Sequence, residues 1–117
     1  MVIDTEISAH EDDHLSVLSS PFGDLRVPQL SLPVRTPVRI RILARDVMIG
    51  LTPPADISAL NVVPCRVGEV RKEDAGMASL RLEHGGHVLL ARITLRSLGR
   101  LGLVPGRDVY AIIKSVA

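Results

Sequence analysis

Val38-Arg39-Ile40-Arg41-Ile42-Leu43 alternates apolar and basic side chains. That spacing puts Val38 and the isoleucines on one face of an extended strand and the arginines on the other. The same period of two recurs along most of the chain, in runs short enough to be separated by turns. Val2 to Ile7 and Leu15 to Leu18 read as a hairpin around the polar stretch His10-Glu11-Asp12-Asp13-His14. Ser20-Pro21-Phe22-Gly23 supplies the next turn, Leu25 and Val27 a short strand ending at Pro28, and Pro33 and Pro37 a further connection. Beyond Thr52-Pro53-Pro54, Asn61 to Val70 reads as a strand interrupted by Pro64, and Lys72 to Gly76 as a polar turn. Met77 to Leu82 and His87 to Ile93 are two strands joined by the tight turn Gly85-Gly86. After the turn Val104-Pro105-Gly106, Val109 to Lys114 forms a strongly apolar last strand. One stretch departs from this period. Thr94 is placed to cap a brief helix in which Leu98 and Leu101 share a face and Gly99 and Gly102 limit the length.

Several strands with one short helix in the closing half predict an all-β fold, built as small OB-like β-barrels. Two prolines in series cannot continue a ladder, so the lobe boundary is placed at them, with an N-terminal β-lobe over 1–52 and an OB-type lobe over 53–117. The 117 residues suffice for one compact domain or for two very small lobes that share packing surface. The core must be aliphatic, because Phe22 and Tyr110 are the only aromatic residues and Val, Leu and Ile carry the burial.

Fourteen Lys and Arg against thirteen Asp and Glu leave a net charge of +1, with no basic block to neutralise nucleic-acid phosphates. An OB-like sheet that binds single strands stacks bases on aromatic side chains, which this chain lacks, so no nucleic-acid partner is expected. The single Cys65 excludes an internal disulfide and a cysteine-only metal cluster. His10, His14, His84 and His87 fall in or beside turns without helical pairing, so no metal site is expected. No apolar run approaches a membrane span, and neither a signal peptide nor a transmembrane helix is expected. No activated nucleophile or paired carboxylate stands out, and no catalysis is assigned to this chain.

Four segments occur in order between Ile57 and Val116: Ser58-Ala59-Leu60-Asn61, Ala91-Arg92-Ile93-Thr94, Leu101-Gly102-Leu103 before Pro105-Gly106, and Ile113-Lys114-Ser115. Together they resemble the molbindin, or Mop, domain of the TOBE type. Arg39 to Val47 is similar to the stretch that precedes this domain in the ATPase subunit of molybdate-importing ABC transporters. The sequence has no Gly-x-x-x-x-Gly-Lys-Ser/Thr phosphate loop. The resemblance therefore implies the C-terminal regulatory domain of such a subunit, without its nucleotide-binding half. It implies a homodimer with the ligand site between its two subunits, acting on the ATPase domain of the same polypeptide and, indirectly, on the transporter's membrane subunit. The expected location is cytoplasmic, peripheral to the inner membrane. The alternatives are a stand-alone molybdate storage protein and a regulatory domain used only for protein contacts.

The implied ligand is molybdate or tungstate, bound without a covalent cofactor. Such a tetrahedral dianion calls for donors from several directions: backbone N–H groups, hydroxyls and an ammonium. By resemblance, Ser58 with the backbone of Ala59, Leu60 and Asn61 forms one wall, Thr94 and Ser97 bring hydroxyls, Lys114 brings the formal charge, and Ser115 adds a donor. Relatives in the wider family often carry an arginine where this chain has Leu60, so one bidentate donor is missing. Each residue also has a plainer role open to it. Thr94 can be a helix cap and Ser97 a solvated first-turn residue, Lys114 can protect a sheet edge, and Asn61 can satisfy a turn.

Overall fold

The period of two is realised as nine strands in the described residues, which are 1–114 of this computed structural model. They are β1 (Val2–Glu11), β2 (Leu15–Ser20), β3 (Gly23–Pro28), β4 (Pro37–Arg41), β5 (Val47–Gly50), β6 (Asn61–Lys72), β7 (Met77–His84), β8 (His87–Thr94) and β9 (Asp108–Ile113). A 3-10 turn, Ala44–Asp46, precedes β5, and one helix, α1 (Leu95–Leu101), lies between β8 and β9. The strands form two antiparallel sheets, a four-stranded one in the order β3-β2-β1-β4 and a five-stranded one in the order β5-β9-β6-β7-β8. The outer strands β5 and β8 of the larger sheet come back into contact, so that sheet curls toward closure as expected of an OB-like fold.

The chain changes sheets between Arg41 and Val47, earlier than the double proline suggested. Residues 47–50 lie inside the expected N-terminal lobe, yet β5 pairs with β9, Val47 facing Ile113 and Met48 facing Ile112. Pro53 and Pro54 sit in the connection between β5 and β6, both strands of the same sheet. Pro64 does not interrupt β6 either. Pairing with β7 begins only at Arg66, so at Pro64 the β7 side of the ladder is already open. Its carbonyl points to that side and accepts a bond from His84 Nδ1 at 2.7 Å. The missing N–H faces the same way and costs the sheet nothing.

Along β6 the inward positions Asn61, Val63, Cys65 and Val67 are buried and their neighbours Val62, Pro64 and Arg66 are exposed. Inward side chains of both sheets join in one cluster. Ile7, Leu18 and Leu25 come from the first, and Leu80, Leu82, Leu89 and Ile113 from the second. It is the aliphatic core that the composition demanded. Phe22, from the β2–β3 turn, is buried against the β7–β8 turn, its ring 6.1 Å from that of His84 and 6.2 Å from that of His87.

The two sheets are copies of one plan. Ile7 faces Leu18 as Val67 faces Leu82, and Leu18 faces Leu25 as Leu82 faces Leu89. Ile3 faces Ile40 as Val63 faces Ala111. Each long first strand bulges at the matching place, between Ile7 and Ala9 in β1 and between Val67 and Glu69 in β6. The crossing back to the last strand also repeats. The Ile7 N–H donates to the Thr36 carbonyl and the Arg35 N–H to the Ile7 carbonyl, just as Val67 exchanges bonds with Arg107 and Gly106. Arg35 and Gly106 both occupy the left-handed region, at φ 74° and 93°. Only the second copy inserts α1, and only the second adds a fifth strand, β5, beside its last.

Candidate functional site

Where β8 ends, Thr94 keeps an extended backbone and caps α1. Its Oγ1 accepts the Ser97 N–H at 3.1 Å and donates to Ser97 Oγ at 3.1 Å, which brings the two hydroxyls together at the surface. Buried Leu98 anchors the helix, and Gly102 ends it in the left-handed region at φ 60°. Thr94 and Ser97 open onto a shallow cleft of about 260 Å³ at the seam between β5 and β8. Its other walls are Val47, Met48 and Ile49 of β5, Ile93, Leu101, and two arginines, Arg45 and Arg92.

Lys114 follows β9, exposed. Ile113 pairs with Asn61 on one side and with Val47 on the other, so Lys114 emerges between the residues leading into β6 and into β5. Ser58, Ala59 and Leu60 lie in the irregular connection just before β6, with Ser58 exposed and Leu60 57% exposed. The structure thus sets the expected residues in two groups. Thr94 and Ser97 share the seam cleft, while Lys114 and the Ser58–Leu60 connection sit at the ends of β9 and β6 and are not among the walls of that cleft. Ser115 lies outside the described residues.

Asn61 is committed to the fold. It is 5% exposed, and its amide clamps the backbone of β3: Oδ1 accepts the Arg26 N–H at 2.7 Å and Nδ2 donates to the Arg26 carbonyl at 2.8 Å. One side chain thereby replaces a strand pair between the two sheets.

Arg92 and Arg45 are the polar residues of the cleft that sequence reasoning did not single out. Arg92 stands two residues before Thr94, on the same side of β8, and that spacing was the available signal. Its Nε donates to Glu73 Oε1 at 3.1 Å, and the same oxygen accepts the Ser79 hydroxyl at 2.7 Å. Those two bonds, the serine's first, hold the Glu73 carboxyl below its ordinary pKa. Elsewhere, burial pushes the Cys65 thiol up to about 11, so it is a neutral core residue and not a nucleophile at physiological pH. Among the described residues no three His, Cys, Asp or Glu side chains group as metal ligands, and no helix is long and apolar enough to cross a membrane.

Along its full length the chain is 46% identical to the molybdenum import ATP-binding protein ModC of Aromatoleum aromaticum, of which it covers 31%. It is 43% identical over 95% of its length to ModC of Albidiferax ferrireducens and 37% identical over 99% to ModC of Mesorhizobium japonicum, covering 30% and 32% of those proteins. The chain therefore spans about a third of the length of the curated relatives it matches. Its fold matches that of the cytoplasmic molybdate-binding protein ModG in a molybdate-bound form, with a TM-score of 0.82 and 22% identity. That match covers 100% of this chain and 94% of the other. Residues 57–117, more than half of the sequence and including every residue of the second copy from β6 onward, match the TOBE domain, and the chain belongs to the TOBE-domain family.

Proposed function

We propose that this chain is a molybdate-binding regulatory domain of a molybdate importer's ATP-binding subunit, with no catalysis of its own. The observation that carries the reading is its end-to-end identity of 46% with a ModC protein. Two features of the site support it. The Ser97 hydroxyl, whose proton the bond from Thr94 leaves uncommitted, and an exposed ammonium on Lys114 are donors of the kind a tetrahedral dianion needs. They stand in two solvent-open groups on a single chain, which suits a pocket closed by a second copy. On the outer face of the paired strands β5, β9 and β6, Met48 and Val62 are 60% and 36% exposed on either side of buried Ile112, and they give that copy apolar surface to cover. A two-fold homodimer would place the Thr94–Ser97 cleft of one chain beside Lys114 of the other. Tungstate, of nearly the same size and charge, is the expected second ligand.

The regulation follows from linkage. Anion held between two domains stabilises the arrangement in which it is held, and it changes transport only to the extent that it binds that arrangement better than the alternative. Plentiful molybdate would then slow its own import at the cytoplasmic face.

Calorimetric titration with molybdate and sulfate tests the reading, with Lys114→Leu as the comparison. Leucine is what the first copy carries at the matching position, Leu43, so the substitution respects the fold. Molybdate should bind, sulfate far more weakly, and the variant should lose roughly 10- to 100-fold in affinity, the loss of one charged hydrogen bond. No heat with molybdate from a folded chain overturns the proposal.

A further inference from the structure

We infer that Arg45 and Arg92 are ligand-holding residues of the oxyanion cleft, supplying the positive charge that its two hydroxyls lack. The inference rests on the anion-binding reading above and deepens it. Both arginines line the cleft that Thr94 and Ser97 open onto, Arg45 from the 3-10 turn ahead of β5 and Arg92 from β8. Both also line the adjoining cleft of about 470 Å³, where Arg41 joins them, so the pair stands between two hollows with charge converging from three side chains. A planar guanidinium offers two parallel N–H donors to one edge of an oxyanion, which a hydroxyl cannot.

The carboxylates near them leave this charge available. Arg45 makes no ion pair among the described residues, with Asp46 next to it in the chain the nearest acidic residue in sequence. Arg92 is paired with Glu73, but through Nε, and its terminal nitrogens make no hydrogen bond among the described residues.

The duplicated fold supplies an internal control. Arg92 faces Ser79 as Pro28 faces Leu15, and two residues beyond the last shared pairs Thr94 and Lys114 correspond to Leu30 and Leu43. The first copy builds the same strands with apolar residues at all three positions. The cationic side chains of the second copy are therefore not a requirement of the sheet, and a ligand would account for them, whereas Thr94 also serves α1, which the first copy lacks.

The experiment is calorimetric titration of the intact chain with molybdate, comparing wild type with Arg45→Gln, Arg92→Gln, Glu73→Gln and Lys114→Leu, each first shown by thermal melting to be folded. Arg45→Gln and Arg92→Gln should each weaken binding about tenfold or more, as expected for removing a charged donor. Glu73→Gln should tighten it several-fold, because it removes a negative charge beside Arg92 that repels the anion. If Arg92 served only to hold Glu73, Glu73→Gln would weaken binding as Arg92→Gln does, and that result overturns its role. Wild-type affinity in both arginine variants alongside a loss in Lys114→Leu overturns the inference and leaves the anion-binding reading standing. No binding by the wild type removes both.

Discussion

Replacing Asn61 with alanine is expected to destabilise the domain by about 2–4 kcal/mol, which a urea titration would report as a lower midpoint with little change in slope. The physical reason is the clamp. Removing the amide strips the Arg26 N–H and carbonyl of their partners at a place where the two sheets meet and Asn61 is 5% exposed. Each orphaned backbone group costs roughly 1–3 kcal/mol, far more than the net gain of an ordinary hydrogen bond. Asn61→Leu restores the volume without the bonds and should lose nearly as much. Asn61→Asp keeps an acceptor for the Arg26 N–H, but it loses the donor and buries a charge, so it should be at least as damaging. A change of under about 0.5 kcal/mol in Asn61→Ala would mean that the sheets are held by packing alone.

Leu18→Ala and Leu82→Ala are each expected to cost about 2–5 kcal/mol, the usual range for a cavity left by a buried leucine. The two side chains occupy matching positions in the two copies, and both are fully buried in the shared cluster. Because that cluster is continuous from Ile3 to Ile113, either substitution should lower one common transition in calorimetry, with calorimetric and van't Hoff enthalpies equal. Two transitions, of which Leu18→Ala moves only one, would show instead that each copy folds as its own unit.

What the sequence made legible was local. The alternation from Val38, the turn at Gly85-Gly86 and the cap at Thr94 are encoded in neighbouring residues, and each appears where expected, although the strand β4 ends at Arg41, two residues before the run does. What it concealed depends on distant partners. Val47-Met48-Ile49-Gly50 is too short to show a period and becomes a strand only because β9 offers an edge. The duplication hides because matching core positions require only an apolar side chain, so Ile7 stands for Val67 and Ile3 for Val63, while the bulge has serine in one copy and glycine in the other. The family resemblance assigned Thr94, Ser97 and Lys114 to a pocket between two subunits, and the fold of a single chain sets Thr94 and Ser97 apart from Lys114. Asn61 was open to a turn or a ligand role, and its clamp could not be foreseen because its partner is the backbone of Arg26, which no side-chain pattern announces. Arg45 escaped notice for a similar reason. It reaches the cleft through the 3-10 turn, an element that forms where the chain passes from one sheet to the other.

Crystals grown with tungstate and measured at the tungsten absorption edge would show whether the second copy carries an oxyanion site completed by another chain. An anomalous peak is expected within hydrogen-bond distance of the Thr94 and Ser97 hydroxyls of one chain and of the Lys114 ammonium of a second. A peak away from these residues, or none at saturating tungstate, would contradict such a site.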